Sequence, residues 1–185
     1  MKHYTTEKYR IDIYADQAFT EGSADNVNKY DFVYFDKSEY YFPTVLGVKT
    51  FQNDTLIKSA VIGSIGGGAG IHETSTIIEN DRLLVCCSNT IFCLSIPDLT
   101  LLWRTQADQT ACFQIFKLQS DYLVHGELQI SRLDKDGKIK WQFSGADIFT
   151  TSDSKENFII TDNYILATDW ENRKYKIDFN GQLII

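Results

Sequence analysis

Proline is scarce in this chain, with two residues, and methionine occurs once, at Met1. No apolar run approaches the roughly 18 residues that a helix needs to cross a bilayer, so no membrane contact is expected. The opening Met1-Lys2-His3-Tyr4-Thr5-Thr6-Glu7-Lys8 has no apolar core of the secretory kind, and a cytoplasmic location is the expectation. Cys86, Cys87, Cys93 and Cys112 contain no C-x-x-C pair; in a reducing compartment they are expected to be free, buried thiols. Cations are in deficit: 18 Lys and Arg against 25 Asp and Glu leave a formal charge of -7. A nucleic-acid binder needs a basic face to displace counterions, so nucleic acid is not expected as a partner. The same acidity suits plain solubility, or a basic protein partner.

Signatures of catalysis are missing as well. There is no G-x-S-x-G for a serine nucleophile. The stretch Gly63-Ser64-Ile65-Gly66-Gly67-Gly68-Ala69-Gly70 lacks the Gly-Lys-Ser/Thr ending of a phosphate-binding loop, and a strand rather than a helix is expected after it. Glu127, Asp134 and Asp136 fall in turns or on strand faces, not as a pair set for glycoside hydrolysis. No compact zinc spacing occurs. No catalytic residue, metal or cofactor is therefore assigned, and a non-enzymatic role is expected.

What the chain has in quantity is sheet formers. Phe and Tyr number 12 and 10, β-branched residues are plentiful, and 43% of the 185 residues are apolar, which excludes global disorder. No linker or composition break divides residues 1–185, so one domain is expected. Its C-terminal part, residues 75–185, repeats. The first unit runs Leu84-Val85-Cys86-Cys87, Ile91-Phe92-Cys93-Leu94, a turn at Pro97-Asp98, then Leu101-Leu102-Trp103. The second runs Leu123-Val124-His125-Gly126, Ile130-Ser131-Arg132-Leu133, a turn at Asp134–Gly137, then Ile139-Lys140-Trp141. The third runs Ile165-Leu166-Ala167-Thr168, Tyr175-Lys176-Ile177, a turn at Asp178–Gly181, then Leu183-Ile184-Ile185. One further strand precedes each unit. Gly137 and Gly181 mark tight hairpins, because glycine takes positive φ without a steric penalty.

Residues 1–74 are less regular. Tyr9–Tyr14 alternates as a strand. Asp31–Phe35 and Tyr40–Phe42 flank Asp36-Lys37-Ser38 as one expected hairpin, and Leu46–Phe51 and Leu56–Ile62 flank Asn53-Asp54 as another. A period near 40 residues with several short strands per unit predicts an all-β, propeller-like stack of antiparallel three- to four-stranded sheets. There is room for about four units, too few for the larger rings, so the array is expected to be incomplete or to need a cover on its free edges. Closure by the Tyr9–Tyr14 strand, or a homodimer, would provide one.

The segment Leu133-Asp134-Lys135-Asp136-Gly137-Lys138-Ile139-Lys140-Trp141 resembles the tryptophan-bearing repeat of quinoprotein-type (PQQ-like) β-propellers. The resemblance spans about residues 75–185, and it implies that Trp103 and Trp141, with Gly137 and Gly181, are structural positions packed between neighbouring units. Ser95 and Leu99 in the first unit, and Ile185 in the third, depart from that pattern. It implies nothing firm about function, since such repeats serve many roles.

Candidate binding residues are few. His72 and Glu73 follow the glycine-rich stretch, and would serve in a small-molecule or enzymatic alternative. His125 stands in the second unit where Cys86 stands in the first, with Glu127 just beyond. Trp170, Glu171 and Arg173 occupy an expected hairpin tip, where a tryptophan among charges can anchor a protein partner. The leading expectation is a protein-binding module, in one specific form a bacterial immunity or accessory protein that neutralises a basic toxin.

Overall fold

The structure, a computed structural model, describes residues 1–38, 41–151 and 157–184. Four sheets follow one another along the chain. The first contains β1 (Lys2–Thr5), β2 (Arg10–Ala15), β3 (Phe32–Phe35), β4 (Thr44–Gln52) and β5 (Thr55–Ser64), in the order β1-β2-β4-β5-β3. The second is the meander β6 (Thr76–Glu79), β7 (Arg82–Cys87), β8 (Thr90–Ser95) and β9 (Leu101–Gln106). The third repeats it with β10 (Cys112–Leu118), β11 (Asp121–Gly126), β12 (Ile130–Leu133) and β13 (Ile139–Phe143). The fourth has β14 (Phe158–Ile160), β15 (Ile165–Thr168) and β16 (Lys174–Ile177), with an isolated bridge from Ile177 to Leu183. The only helical element among the described residues is a 3-10 turn, Glu73–Ser75. The fold is therefore all-β and propeller-like.

Alternation within each strand sets the stacking. In β7, Leu83, Val85 and Cys87 face the first sheet, and Leu84 and Cys86 face the third. Three buried clusters result. Ile11, Ile13, Leu46, Val48 and Ile62 meet Phe92 and Leu94 between the first and second sheets. Ile91 and Cys93 meet Ile115, Tyr122 and Val124 between the second and third. Leu123 and Ile130 meet Phe158, Ile165 and Ile177 between the third and fourth. Each fully buried Leu, Ile or Phe contributes about 1.5–3 kcal/mol relative to exposure, and a middle sheet, buried on both faces, depends on both neighbours.

Gly137, at φ +81°, packs under the ring of Trp103, and Gly181, at φ +83°, packs under the ring of Trp141. The second and third units thus lay their glycine turns against the tryptophan of the unit before. Trp141 Nε1 donates to Phe179 O at 3.0 Å, and Thr105 Oγ1 donates to Gly137 O at 2.6 Å. The first unit has Leu99 at the glycine position, also left-handed at φ 54°, with its side chain fully buried against the first sheet. Ile185, the third unit's counterpart of the tryptophans, lies outside the described residues.

Two N-terminal expectations need correction. The Asn53-Asp54 hairpin forms, with both residues left-handed at φ 48° and 61°. The hairpin expected around Asp36–Ser38 does not: β3 runs parallel to β5, pairing Phe32 with Ala60 and Phe35 with Gly63, and Tyr41–Phe42 lie outside the strands. Tyr40 falls outside the described residues. The reason is tertiary. On β5's open edge, β3 lets Tyr34 reach the second sheet, donating to Leu99 O at 3.1 Å and accepting from Leu101 N at 3.2 Å. Asp31 then accepts hydrogen bonds from Ser59 N at 2.8 Å and Ser59 Oγ at 2.9 Å.

The Tyr9–Tyr14 strand does not close a ring either. It is β2, inside the first sheet between β1 and β4. The three buried clusters join each sheet to the next, and among the described residues none joins the fourth sheet to the first. The outer face of the first sheet is covered by its own chain. Phe19 meets Tyr30 edge-on at 5.1 Å, and Tyr30 Oη donates to Asp16 at 2.5 Å. Gly47 lies so close beneath Tyr14 and Tyr30 that any Cβ would collide with them, and Val61 is fully buried. This segment acts as the polar-surfaced cap that a terminal unit of a stacked array requires.

Candidate functional site

Successive strands of a meander alternate in direction. The β7–β8, β11–β12 and β15–β16 turns therefore share one end of the stack with the three connections between sheets. His72, Glu73, Glu127, Trp170, Glu171 and Arg173 all fall at this end, while the glycine turns at Gly137 and Gly181 fall at the other.

Backbone hydrogen bonds tie the loops of this end together. Gly67 N donates to Thr110 O at 2.6 Å, Glu127 N to Ala111 O at 2.8 Å, Phe149 N to Glu127 O at 2.7 Å, and Trp170 N to Ile148 O at 2.9 Å. The ladder passes from the first connection to the last hairpin without relying on exposed side chains. Asp108, missed in the sequence, is its main buckle. Fully buried, its carboxylate accepts from Thr110 N and Ala111 N through one oxygen and from Leu128 N and Gln129 N through the other, at 2.6–3.1 Å. Gly126 leaves the space that this carboxylate fills. Nothing but the local Asp-x-Thr turn pattern marked Asp108, and its longer-range partners are 20 and 21 residues away.

The glycine-rich stretch serves packing. An added Cβ at Gly66 would sit 2.6 Å from Thr110 O; at Gly67 it would lie less tightly, 3.1 Å from Thr110 Cγ2 and 3.4 Å from Ala111 Cβ, and Gly68 and Gly70 are open. His72 is half-buried, with Nδ1 3.2 Å from Thr74 Oγ1; Glu73 beside it is exposed. Thr74 Oγ1 also meets Gln114 Nε2 at 2.9 Å, and Gln114 Oε1 lies 2.9 Å from His125 Nδ1. The two histidines are thus joined by a polar chain through Thr74 and Gln114, not by direct contact.

His125 is buried, stacked on Phe158 at 4.4 Å, with Nε2 3.0 Å from Phe149 O. Burial lowers its pKa to about 4, so the ring is neutral near pH 7 and occupies the core between the third and fourth sheets. Glu127 is half-buried, and burial together with the nearby Asp108 raises its pKa. Among the described residues no three His, Cys, Asp or Glu side chains come together to hold a metal ion. All four cysteines are free and buried.

Trp170, Glu171 and Arg173 share one turn. Asp169 at its base is fully buried. Burial works against its ionisation, but hydrogen bonds from Tyr175 Oη at 2.7 Å and from Arg173 N and Nη1 at 2.8 and 3.2 Å outweigh it and hold the carboxyl below the usual range. Arg173 is oriented by that pair, and Trp170 remains 46% exposed on a backbone pinned to Ile148.

Two solved structures share this architecture. BamB from Moraxella catarrhalis superposes with a TM-score of 0.53 at 14% identity, over 100% of this chain and 60% of its own. The computationally designed Ika8 protein superposes with a TM-score of 0.52 at 12% identity, over 99% of this chain and 59% of its own. Both are propeller proteins, and this chain spans about three-fifths of the length of either. At such identities the likeness concerns the fold alone. No protein-family model matches the sequence, and no curated protein is similar to it. The chain is a β-propeller-like repeat module. No helix among the described residues is long and apolar enough to cross a membrane.

Proposed function

We propose that this module is a non-enzymatic protein-binding scaffold whose connection end, centred on Trp170, contacts a partner. The observation that carries the reading is the Trp170 turn: an exposed tryptophan beside an oriented arginine, on a backbone locked by Asp169 and Ile148. Tryptophan and arginine dominate binding hot spots, and a pre-ordered anchor loses little entropy on binding. The exposed carboxylates Glu73 and Glu171 at the same end, with the net charge of -7, favour a basic partner. An immunity or accessory role in the cytoplasm, neutralising a basic toxin, is the specific form of this proposal. In it the quinoprotein-type repeat supplies the stack and no cofactor, and a second copy of the chain is a further candidate partner.

The test is affinity capture from the source cell's extract with wild type and Trp170→Ala side by side. The proposal expects a protein held by wild type and released by Trp170→Ala, with unchanged circular dichroism. Equal capture by both proteins, or none by wild type, removes it.

A further inference from the structure

At the edge of the first sheet, away from the Trp170 turn, lies a cavity of about 350 Å³ walled by Phe19, Phe35, Tyr41 and Phe42, with Glu21 and Asp36 on its rim. The rings are mutually inclined: Phe19 and Phe35 stand at 81° with centroids 5.9 Å apart, and Phe35 and Phe42 at 46° with centroids 4.9 Å apart. Among the described residues the charged groups lining the cavity are Glu21 and Asp36. The Gln17 amide is committed to the backbone. Gln17 Nε2 donates to Phe42 O at 2.5 Å, and Gln17 Oε1 accepts from Val45 N at 3.2 Å.

We infer that this cavity is a binding site for an organic cation bearing N–H groups, of the guanidinium class. Aromatic faces carry negative potential and attract a cation held within about 6 Å, and they do so best when water is partly excluded. The carboxylates set the sign of the charge, and the oxygens of exposed Glu21 favour a donor-bearing head over a quaternary ammonium, because each can accept a hydrogen bond. The Asp36 carboxylate already holds one guanidinium. Arg104 of β9 sits 3.3 Å from Asp36 Oδ1 and donates to Phe35 O at 3.1 Å, while Asp36 Oδ2 accepts from Ser64 Oγ at 2.6 Å and from Ile65 N at 3.3 Å. The volume lies at the low end for ligand sites, which suits one side chain or a small molecule. The site stands apart from the proposed Trp170 contact, and its test needs no protein partner.

The experiment is titration of the 15N-labelled protein with N-acetyl-arginine amide, followed by two-dimensional amide spectra. The citrulline amide serves as the uncharged isostere and choline as the quaternary cation. Tyr41 is 72% exposed and Glu21 is exposed, so Tyr41→Ala and Glu21→Gln leave the fold intact. The expected result is shifts concentrated on residues 17–21, 35–38 and 41–45, weaker binding of choline, and none of the citrulline amide. Each variant should weaken arginine amide binding about three-fold, the size of one exposed cation–π or ionic contact. Shifts scattered over the acidic surface, equal binding of the citrulline amide or of choline, or variants that bind like wild type would overturn the assignment.

Discussion

Replacing Gly137 by alanine probes the contact that makes this chain a stack. The methyl group brings two costs. Gly137 sits at φ +81°, where a Cβ crowds the following carbonyl by about 1–2 kcal/mol. The new Cβ would also lie 2.5 Å from two ring carbons of Trp103, so the indole must move out of its packed position, an overpacking cost of about 1–3 kcal/mol. Together these predict a loss of about 2 to 5 kcal/mol, a large share of the 5–15 kcal/mol typical of a domain. Urea denaturation followed by tryptophan fluorescence should show the midpoint falling by about 1–2 M at an unchanged slope. Gly181→Ala should behave alike, its Cβ meeting Trp141 at 2.6 Å. Gly68→Ala, with nothing within 4 Å of its Cβ, should stay within about 0.5 kcal/mol of wild type. In a Trp103→Ala background the ring collision is gone and Gly137→Ala should cost only its backbone share, a coupling of about 1–3 kcal/mol. A Gly137→Ala protein as stable as Gly68→Ala, or an additive cycle, would refute the reasoning.

Other predictions are these. His125 has a folded pKa of about 4 against 6.5 when unfolded, so the unfolded chain binds the extra proton between those values. The stability from a neutral buried ring is complete above about pH 6.5 and is lost as pH falls towards 4; between pH 7 and 5 the loss is about 2 kcal/mol. Glu127, with its raised pKa, acts in the opposite sense, so His125→Gln is the comparison: if its urea midpoint falls with acid as steeply as that of wild type, the assignment fails. Asp108→Ala strands four backbone donors and should cost at least about 3 kcal/mol by the same assay, with Asp108→Asn intermediate; a loss under about 1 kcal/mol would contradict the buckle role. Burial raises the pKa of Cys86, Cys87 and Cys112, and that of Cys93 to about 12, so no thiol should react with an aromatic disulfide reagent at pH 7.5 until urea unfolds the chain; prompt reaction of even one would contradict its burial.

The repeats were legible because their determinants are local. Short apolar runs at Leu83–Cys87 and Leu123–Val124, recurring with turns closed by Gly137 and Gly181, prescribe meanders of strands whichever neighbours they later meet. The family resemblance implied that Trp103 and Trp141 pack between neighbouring units; that each meets the next unit's glycine turn came from the structure alone. Position along the chain also sufficed to bring Trp170, Glu171 and Arg173 to one turn.

What the residues alone did not decide was which strands and side chains, distant in sequence, would meet. The partner of β3 depended on Tyr34 reaching Leu99 and Leu101 in another sheet, 65 and 67 residues away, and a local hairpin rule carries no information about such a reach. Asp108 looked like any turn aspartate until Leu128 and Gln129 arrived at its second oxygen. His125 read as a candidate ligand, and only its stacking on Phe158 and its depth show it to be core. The cavity at Phe19, Phe35, Tyr41 and Phe42 likewise exists only because residues 16–30 fold back over the first sheet. Patterning of one to four residues fixes strand, turn and face through backbone sterics and burial; the long-range pairing and the cap come from which surfaces the assembled sheets leave to be covered.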